Sequence, residues 1–189
     1  MKTGLLSFWL VATAVTAGSL QIRAIDGAAF RPLEPAGIAN VLFFVATDCP
    51  VSNSYAPEIQ RICAAFASKG VACQLIYEDA GVTETAAGRH LAEYRYQGML
   101  AAIDRDGSLA ARVRATITPE AVVVDRRGEI RYRGRIDNFY AALGRPRQVV
   151  TARDLRDALT ALAGGKPVAT PETDPVGCYI VPSNLRRNP

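Results

Sequence analysis

The sequence predicts an α/β fold in which a mixed central β-sheet is flanked by helices on both faces. Two observations carry this reading. Short apolar, β-branched runs alternate with segments whose apolar residues recur at helical spacing, in the order β-α-β-α-β-(α)-β-β-α. The last two strands form a hairpin whose return strand alternates apolar and charged residues, which marks an antiparallel pair with one wetter face. With 189 residues the chain can build one domain with a real core, and 49% hydrophobic against 21% charged residues excludes intrinsic disorder.

The first strand is the continuous apolar run Val41 to Ala46 in NVLFFVATDCP, short and aromatic enough to be buried on both faces. The next segment carries Tyr55, Ile59, Ile62, Cys63 and Phe66 at helical spacing and stops at Gly70, a plausible residue just past a helix end. VACQLIYE is the second strand, TETAAGRHLAEYRY the second helix, and GMLAAID a short strand before the turn Asp106-Gly107. SLAARVRA supplies one or two helical turns. Pro119 then opens a strand through Val124, Arg127-Gly128 turns it, and Ile130 and Tyr132 alternate with Arg131, Arg133 and Arg135 on the return. Leu155, Leu159 and Leu162 share one face of a final helix, with Thr151 as its expected N-cap and Gly164-Gly165 closing it. After it the Pro-rich stretch 166–189 has little periodicity and reads as an irregular surface tail.

The N-terminus reads as an address rather than part of the fold. One basic residue, Lys2, precedes an apolar run from Leu5 to Ala17, shorter than the ~20 residues a membrane span needs. Small residues follow, so a secretory signal peptide within residues 1–24 is expected, cut after Ala17 or, as a weaker option, after Ala24. Domain boundaries follow as 25–165 for the folded unit and 166–189 for the tail. This predicts an exported protein, periplasmic or extracellular, with no stable membrane span once the signal is cut, in a compartment where disulfides persist. The net charge of +4 is small and alternates in sign along most of the chain, which argues against a nucleic-acid binder. Four cysteines are too few for a disulfide-built scaffold, so cysteine chemistry is local. A single histidine excludes a His-rich metal site.

Cys49 stands where the first strand hands over to the first helix. Unpaired N–H groups and the helix dipole favour an anion there, so the thiolate, the species that attacks disulfides, gains stability. Pro50 suits the first helical turn because its missing N–H is not needed. Asp48 opposes the effect, since a like charge beside the sulfur raises its pKa.

FFVATDCPVSNSYAPEI resembles the active-site segment of the thioredoxin-like superfamily: a strand runs into Cys-Pro, and Pro57 follows eight residues after the cysteine, where that family kinks its first helix. TITPEAVVVDRRGEI resembles the second hallmark, a proline, usually cis, opening a hairpin strand. The resemblance implies that Thr118 and Pro119 face Cys49 and offer backbone to a bound peptide. It extends over roughly residues 20 to 165. YRGRIDNFY and GKPV…GCYI are similar to pieces of exported bacterial redoxin-domain proteins related to the alkyl hydroperoxide reductase and thiol-specific antioxidant group.

The departures shape the expected chemistry. The family's second cysteine is replaced by Ser52, giving the monothiol motif CPVS, and the common Trp before the cysteine is Asp48. The acid that thioredoxin carries on the preceding strand would fall at Phe43. Peroxiredoxin positions three and seven residues before the cysteine are Ala46 and Leu42, against a peroxidase. Ser52 is read either as a hydrogen-bond partner of the thiolate or as an ordinary first-turn residue. A resolving thiol must then come from elsewhere. Cys63 and Cys73 are expected to be buried small hydrophobes, with a mutual disulfide as the alternative. Cys178, in PVGCYI, is the candidate partner of Cys49, and a bridge between them would close a loop worth about 5 kcal/mol in the chain-entropy model.

The expected function is therefore an exported thiol–disulfide oxidoreductase. Cys49 is the nucleophile, Cys178 and Ser52 assist it, and Pro50, Thr118 and Pro119 position the substrate. Protein thiols or disulfides, or a redox partner protein, would be its partners. No organic cofactor and no metal are expected: His90 reads as a surface or half-buried residue, and CPVSN lacks the second cysteine of a copper set. The alternatives are a peptide-binding module without catalysis and a thiol peroxidase. Asp137 and Tyr140 are read as ordering the loop that leaves the hairpin, Arg145 and Arg147 as solvated, and Asp104, Asp106 and Asp125 as turn residues.

Overall fold

A computed structural model describes residues 20–79, 81–96 and 98–181. Residues 1–19, where most of the expected signal peptide falls, and the tail's end at 182–189 lie outside the described residues.

Strand β1 (Ile22–Arg23) and β2 (Ala29–Phe30) form a short hairpin ahead of the central strand β3 (Ala39–Val45). Helix α1 (Pro50–Ser54) and α2 (Ala56–Ala67) follow, divided at Tyr55 just before Pro57. Then come β4 (Val71–Tyr77), α3 (Glu84–Glu93), β5 (Leu100–Ile103) and α4 (Ser108–Val113). Next are β6 (Ile117–Thr118), β7 (Glu120–Asp125) and β8 (Ile130–Gly134). The chain continues through β9 (Tyr140–Ala142), β10 (Arg145–Pro146), α5 (Asp154–Ala163) and β11 (Cys178–Tyr179). The central sheet has the order β5-β4-β3-β7-β8, parallel across β5, β4 and β3 and antiparallel from β3 through β7 to β8.

Strand β3 shows why the apolar run is unbroken. Val41, Phe43 and Val45 face a core built with α2, α3 and α5, which contribute Ile59, Ile62, Ala87, Leu155 and Leu159. Leu42 and Phe44 face the opposite core, shared with Leu109, Ala110 and Val113 of α4. A strand covered on both sides has no polar face to show in its sequence. Gly70 takes φ +79° after α2, the left-handed backbone that suits glycine.

Two local expectations change. Helix α5 begins at Asp154 with Arg153 as N-cap. Thr151 is held instead by Asn138, through Thr151 N–H to Oδ1 at 2.9 Å and Nδ2 to Thr151 Oγ1 at 2.7 Å. Cys63 and Cys73 form a disulfide that ties α2 to β4, with Cα atoms 5.9 Å apart. Helical spacing and strand alternation each placed one cysteine inward; only packing α2 on β4 brought them to bonding range.

The tail is irregular over most of residues 166–181, as expected, and it docks as a strap on the surface. Strand β8 is the sheet edge, with unpaired N–H and C=O groups that need partners. Arg133 N–H donates to Pro171 O at 2.9 Å, and Thr173 N–H to Arg133 O at 3.1 Å. Thr173 Oγ1 accepts from Arg135 N–H at 3.1 Å and bonds Tyr132 Oη at 2.7 Å. Further on, β11 pairs antiparallel with β6, Cys178 opposite Thr118, and Ile180 N–H donates to Thr116 O at 2.9 Å.

Removing the Cys63–Cys73 bridge as a double Ala variant is expected to cost about 2–3 kcal/mol, read from urea unfolding; an unchanged midpoint would refute a formed bridge. A Cβ on Gly177 would stand 2.0 Å from Thr118 O, so backbone must move. Gly177→Ala should undock β11 and speed limited proteolysis of the tail by about tenfold.

Candidate redox site

Cys49 is the N-cap of α1, and Pro50 occupies the first helical position. Its backbone is extended, with φ −86° and ψ 109°, which turns the sulfur back over the helix start so that Ser52 N–H donates to it at 3.5 Å. Ser52 takes part through its amide alone. Its hydroxyl is buried with no hydrogen-bond partner among the described residues, so the expected side-chain bond to the sulfur is absent. Because α1 breaks after Ser54, this N–H acts on the sulfur more than a long helix dipole does.

The Thr118-Pro119 peptide is cis and faces the sulfur, as the hairpin motif implied. The Cys49 S–H donates to Thr118 O at 3.2 Å. On the other edge of Thr118 lies Cys178, its partner in the β6–β11 pairing, whose carbonyl accepts from Thr118 Oγ1 at 3.4 Å. Both cysteines are free thiols, and both lie against Thr118. The fold thus brings Cys49, Ser52, Pro50, Thr118, Pro119 and Cys178 together. Cys49 is 0% exposed, so its sulfur is not directly reachable from solvent. Its surroundings are nevertheless polar, since a carbonyl, an amide and a second thiol meet there.

Electrostatics separate the two thiols. Burial pushes Cys49 up, but hydrogen bonds from Cys178, the Ser52 amide and Thr118 outweigh it and leave the thiol below its ordinary value. Cys178 is pushed up to about 12, by burial first and then by its hydrogen bond and proximity to Cys49, with Asp48 adding to it. Asp48 therefore acts on Cys178, where the sequence had placed its effect on Cys49. Asp79 is raised by burial and by its hydrogen bond with Asp48, against the Thr47 N–H that both its oxygens accept at 2.9 Å.

Residues that the sequence reading passed over hold this geometry. Glu120, directly after the cis proline, accepts from Thr116 N–H at 2.8 Å and Ile117 N–H at 3.1 Å, which sets the course of β6. Burial raises its carboxyl, and Arg133 stands 3.9 Å away. The available signal was an acid opening the otherwise apolar strand EAVVVD. Asp137 accepts from Tyr55 Oη at 2.7 Å, which clamps the α1–α2 junction to the loop after β8 and extends its expected loop-ordering role. Tyr140 adds a bond from its hydroxyl to Ser54 Oγ at 3.1 Å.

His90 is 4% exposed and lies inside the fold rather than at its surface. Its ring bridges Tyr77 Oη and Asn53 Oδ1, each at 2.9 Å, while Asn53 Nδ2 donates to Thr47 O at 3.0 Å. Both ring nitrogens are thus engaged in holding α1. Asp104 receives the Leu109 and Ala110 amides of α4, and Asp125 those of Arg127 and Glu129, as turn chemistry predicts. Arg145 and Arg147 are exposed. Among the described residues no group of three or more His, Cys, Asp or Glu side chains could hold a metal ion, and no helix is long and apolar enough to cross a membrane.

No protein-family model matches the chain, and no curated protein matches it either. Solved structures do. A hypothetical protein from Sinorhizobium meliloti superposes with a TM-score of 0.74 at 24% identity, over 87% of this chain and 91% of that one. A secreted Mycobacterium tuberculosis disulfide oxidoreductase, homologous to DsbE of E. coli, gives 0.54 at 21% identity over 78% and 96%. A thioredoxin-like protein from Aeropyrum pernix gives 0.52 at 19% identity over 61% and 80%. With its central mixed sheet flanked by helices, the chain has the thioredoxin-like fold.

Proposed function

We propose that the protein is an exported thiol–disulfide oxidoreductase whose redox centre is the Cys49–Cys178 pair. The observation that carries this reading is the placement of Cys49: a sulfur at a helix start, 3.2 Å from the carbonyl of Thr118 before a cis proline, with a second free thiol, Cys178, paired to that same Thr118 by the tail. Cys49 is the better thiolate and Cys178 the thiol that stays protonated, a difference that a dithiol–disulfide couple can use. Oxidation removes two electrons and two protons from the pair and joins the sulfurs; reduction returns them from a second thiol protein. No organic cofactor enters this chemistry. Thr118 and Pro119 position the pair, and Pro50 and Ser52 set the first turn beneath it.

Export rests on the apolar leader at residues 1–19, and the structural likeness to a secreted disulfide oxidoreductase agrees with it. The narrower resemblance to the alkyl hydroperoxide reductase group rests on short pieces of sequence. The positions three and seven residues before Cys49 are Ala46 and Leu42, which favours disulfide exchange over peroxidase chemistry. A peptide-binding module would need the β6 edge open, and β11 occupies it.

Equilibration of the purified protein in glutathione redox buffers, followed by alkylation and peptide mapping, tests the reading. A Cys49–Cys178 linked peptide should form under oxidising conditions and vanish on reduction. Alkylation of both cysteines in the fully oxidised sample would reject it. In the reduced protein, thiolate absorbance should rise in two steps, one below the ordinary cysteine value and one near pH 12. Above the lower step Cys49 is the nucleophilic thiolate and below it an inert thiol, so exchange rates should fall as pH drops through that step. Cys178→Ala removes a hydrogen bond to the thiolate and should move the lower step upward; an unchanged midpoint would refute the coupling.

A further inference from the structure

We infer that Cys178, not Cys49, is the sulfur that a partner protein engages: in the oxidised state an incoming dithiol attacks Cys178 and expels Cys49. This rests on the redox reading above and adds the order of events to it.

Access comes first. Cys49 is 0% exposed, whereas Cys178 is half-buried. A cleft of about 360 Å³ opens beside the site, and its wall includes Asp48, Asp79, Thr118, Cys178 and Tyr179 but not Cys49. A thiol entering this cleft meets Cys178 first.

The second observation concerns the strand edge. β6 is where an extended substrate could add to the backbone beside the cis proline, and there the chain has placed its own β11. Thr118 O stands 2.0 Å from where a Gly177 Cβ would be, so the two backbones are already in closest contact. Nothing can slide between them. A partner that approaches the site therefore docks on the outer side of the tail, where Tyr179 is 87% exposed, and not on β6 itself.

Leaving-group chemistry runs the same way. Exchange proceeds faster when the expelled thiol is the more acidic, and Cys49 is the more acidic of the pair. The partner thiolate forms a bond to Cys178 Sγ, the Cys49–Cys178 bond breaks, and its electron pair stays on Cys49, held by the Ser52 amide. A second partner thiol, after losing its proton to solvent, attacks the partner's own sulfur in the mixed disulfide. Cys178 leaves and takes up a proton. The partner dithiol has become a disulfide and the protein a dithiol, a transfer of two electrons.

The test uses the full chain, oxidised and mapped beforehand, then mixed with glutathione as a monothiol probe and quenched in acid at early times. Glutathione adducts should appear on the Cys178 peptide in about tenfold or greater excess over the Cys49 peptide. Adducts that are equal on the two, or mainly on Cys49, overturn the inference while leaving the redox pair intact. If the starting protein has no Cys49–Cys178 link, the redox reading fails and this inference with it. Gly177→Ala, which loosens the tail, should bring the ratio toward parity; an unchanged ratio would refute the shielding role of β11.

Discussion

The backbone of Thr118 is the point on which the site turns. Its carbonyl accepts the Cys49 S–H, its hydroxyl donates to the Cys178 carbonyl, and its peptide to Pro119 is cis. One residue, 1% exposed, thereby touches a helix start on one side and the tail on the other. Its course is set by Glu120, whose carboxylate takes the two amides just upstream. A buried carboxylate is costly unless its oxygens are satisfied, and here that requirement shapes the strand.

Around this point the fold is tied by polar contacts that fix the start of α1. His90, Asn53 and Thr47 hold α1 from one side, and Tyr55 with Asp137 holds its junction with α2 from the other. The CPVS segment is thus rigidly placed although its last residue contributes only an amide. The partner sulfur comes from far along the chain. The strap that carries it covers the open edge of β8 on the way, so one segment blunts a sheet edge and completes a dithiol site. Burial and the neighbouring Cys49, with Asp48 adding to them, keep the Cys178 thiol protonated, which sharpens the difference between the two sulfurs.

Much of the fold was legible. The unbroken run in β3, the helical spacing through Phe66 and the alternation in β8 each report a local periodicity that packing later used. Cys49 was legible because it stands at an element boundary, where residue type and backbone geometry are coupled, whereas the cis form of the Pro119 peptide was expected only from the resemblance to the thioredoxin-like superfamily. The Cys63–Cys73 bond was not, because each residue also fits an apolar position and nothing local distinguishes a thiol that meets another from one that does not. His90 and Glu120 were missed for a related reason: a polar residue is buried only when distant partners satisfy it, and those partners are remote in sequence.

By itself, the order of residues determined the strands of the central sheet and the main helices, the cysteine at the end of the first long strand, and the proline that opens β7. Those features depend on periodicity, capping and the restricted backbone of proline, all of which act over a few residues. Tertiary structure alone decided that Cys49 is sealed from solvent, that Ser52 acts through its amide, and that the tail docks with Cys178 against Thr118. The reason is physical: burial and the pairing of strand edges are set by surfaces that meet only after the chain has closed, and periodicity along the chain carries no record of which edge will be left open.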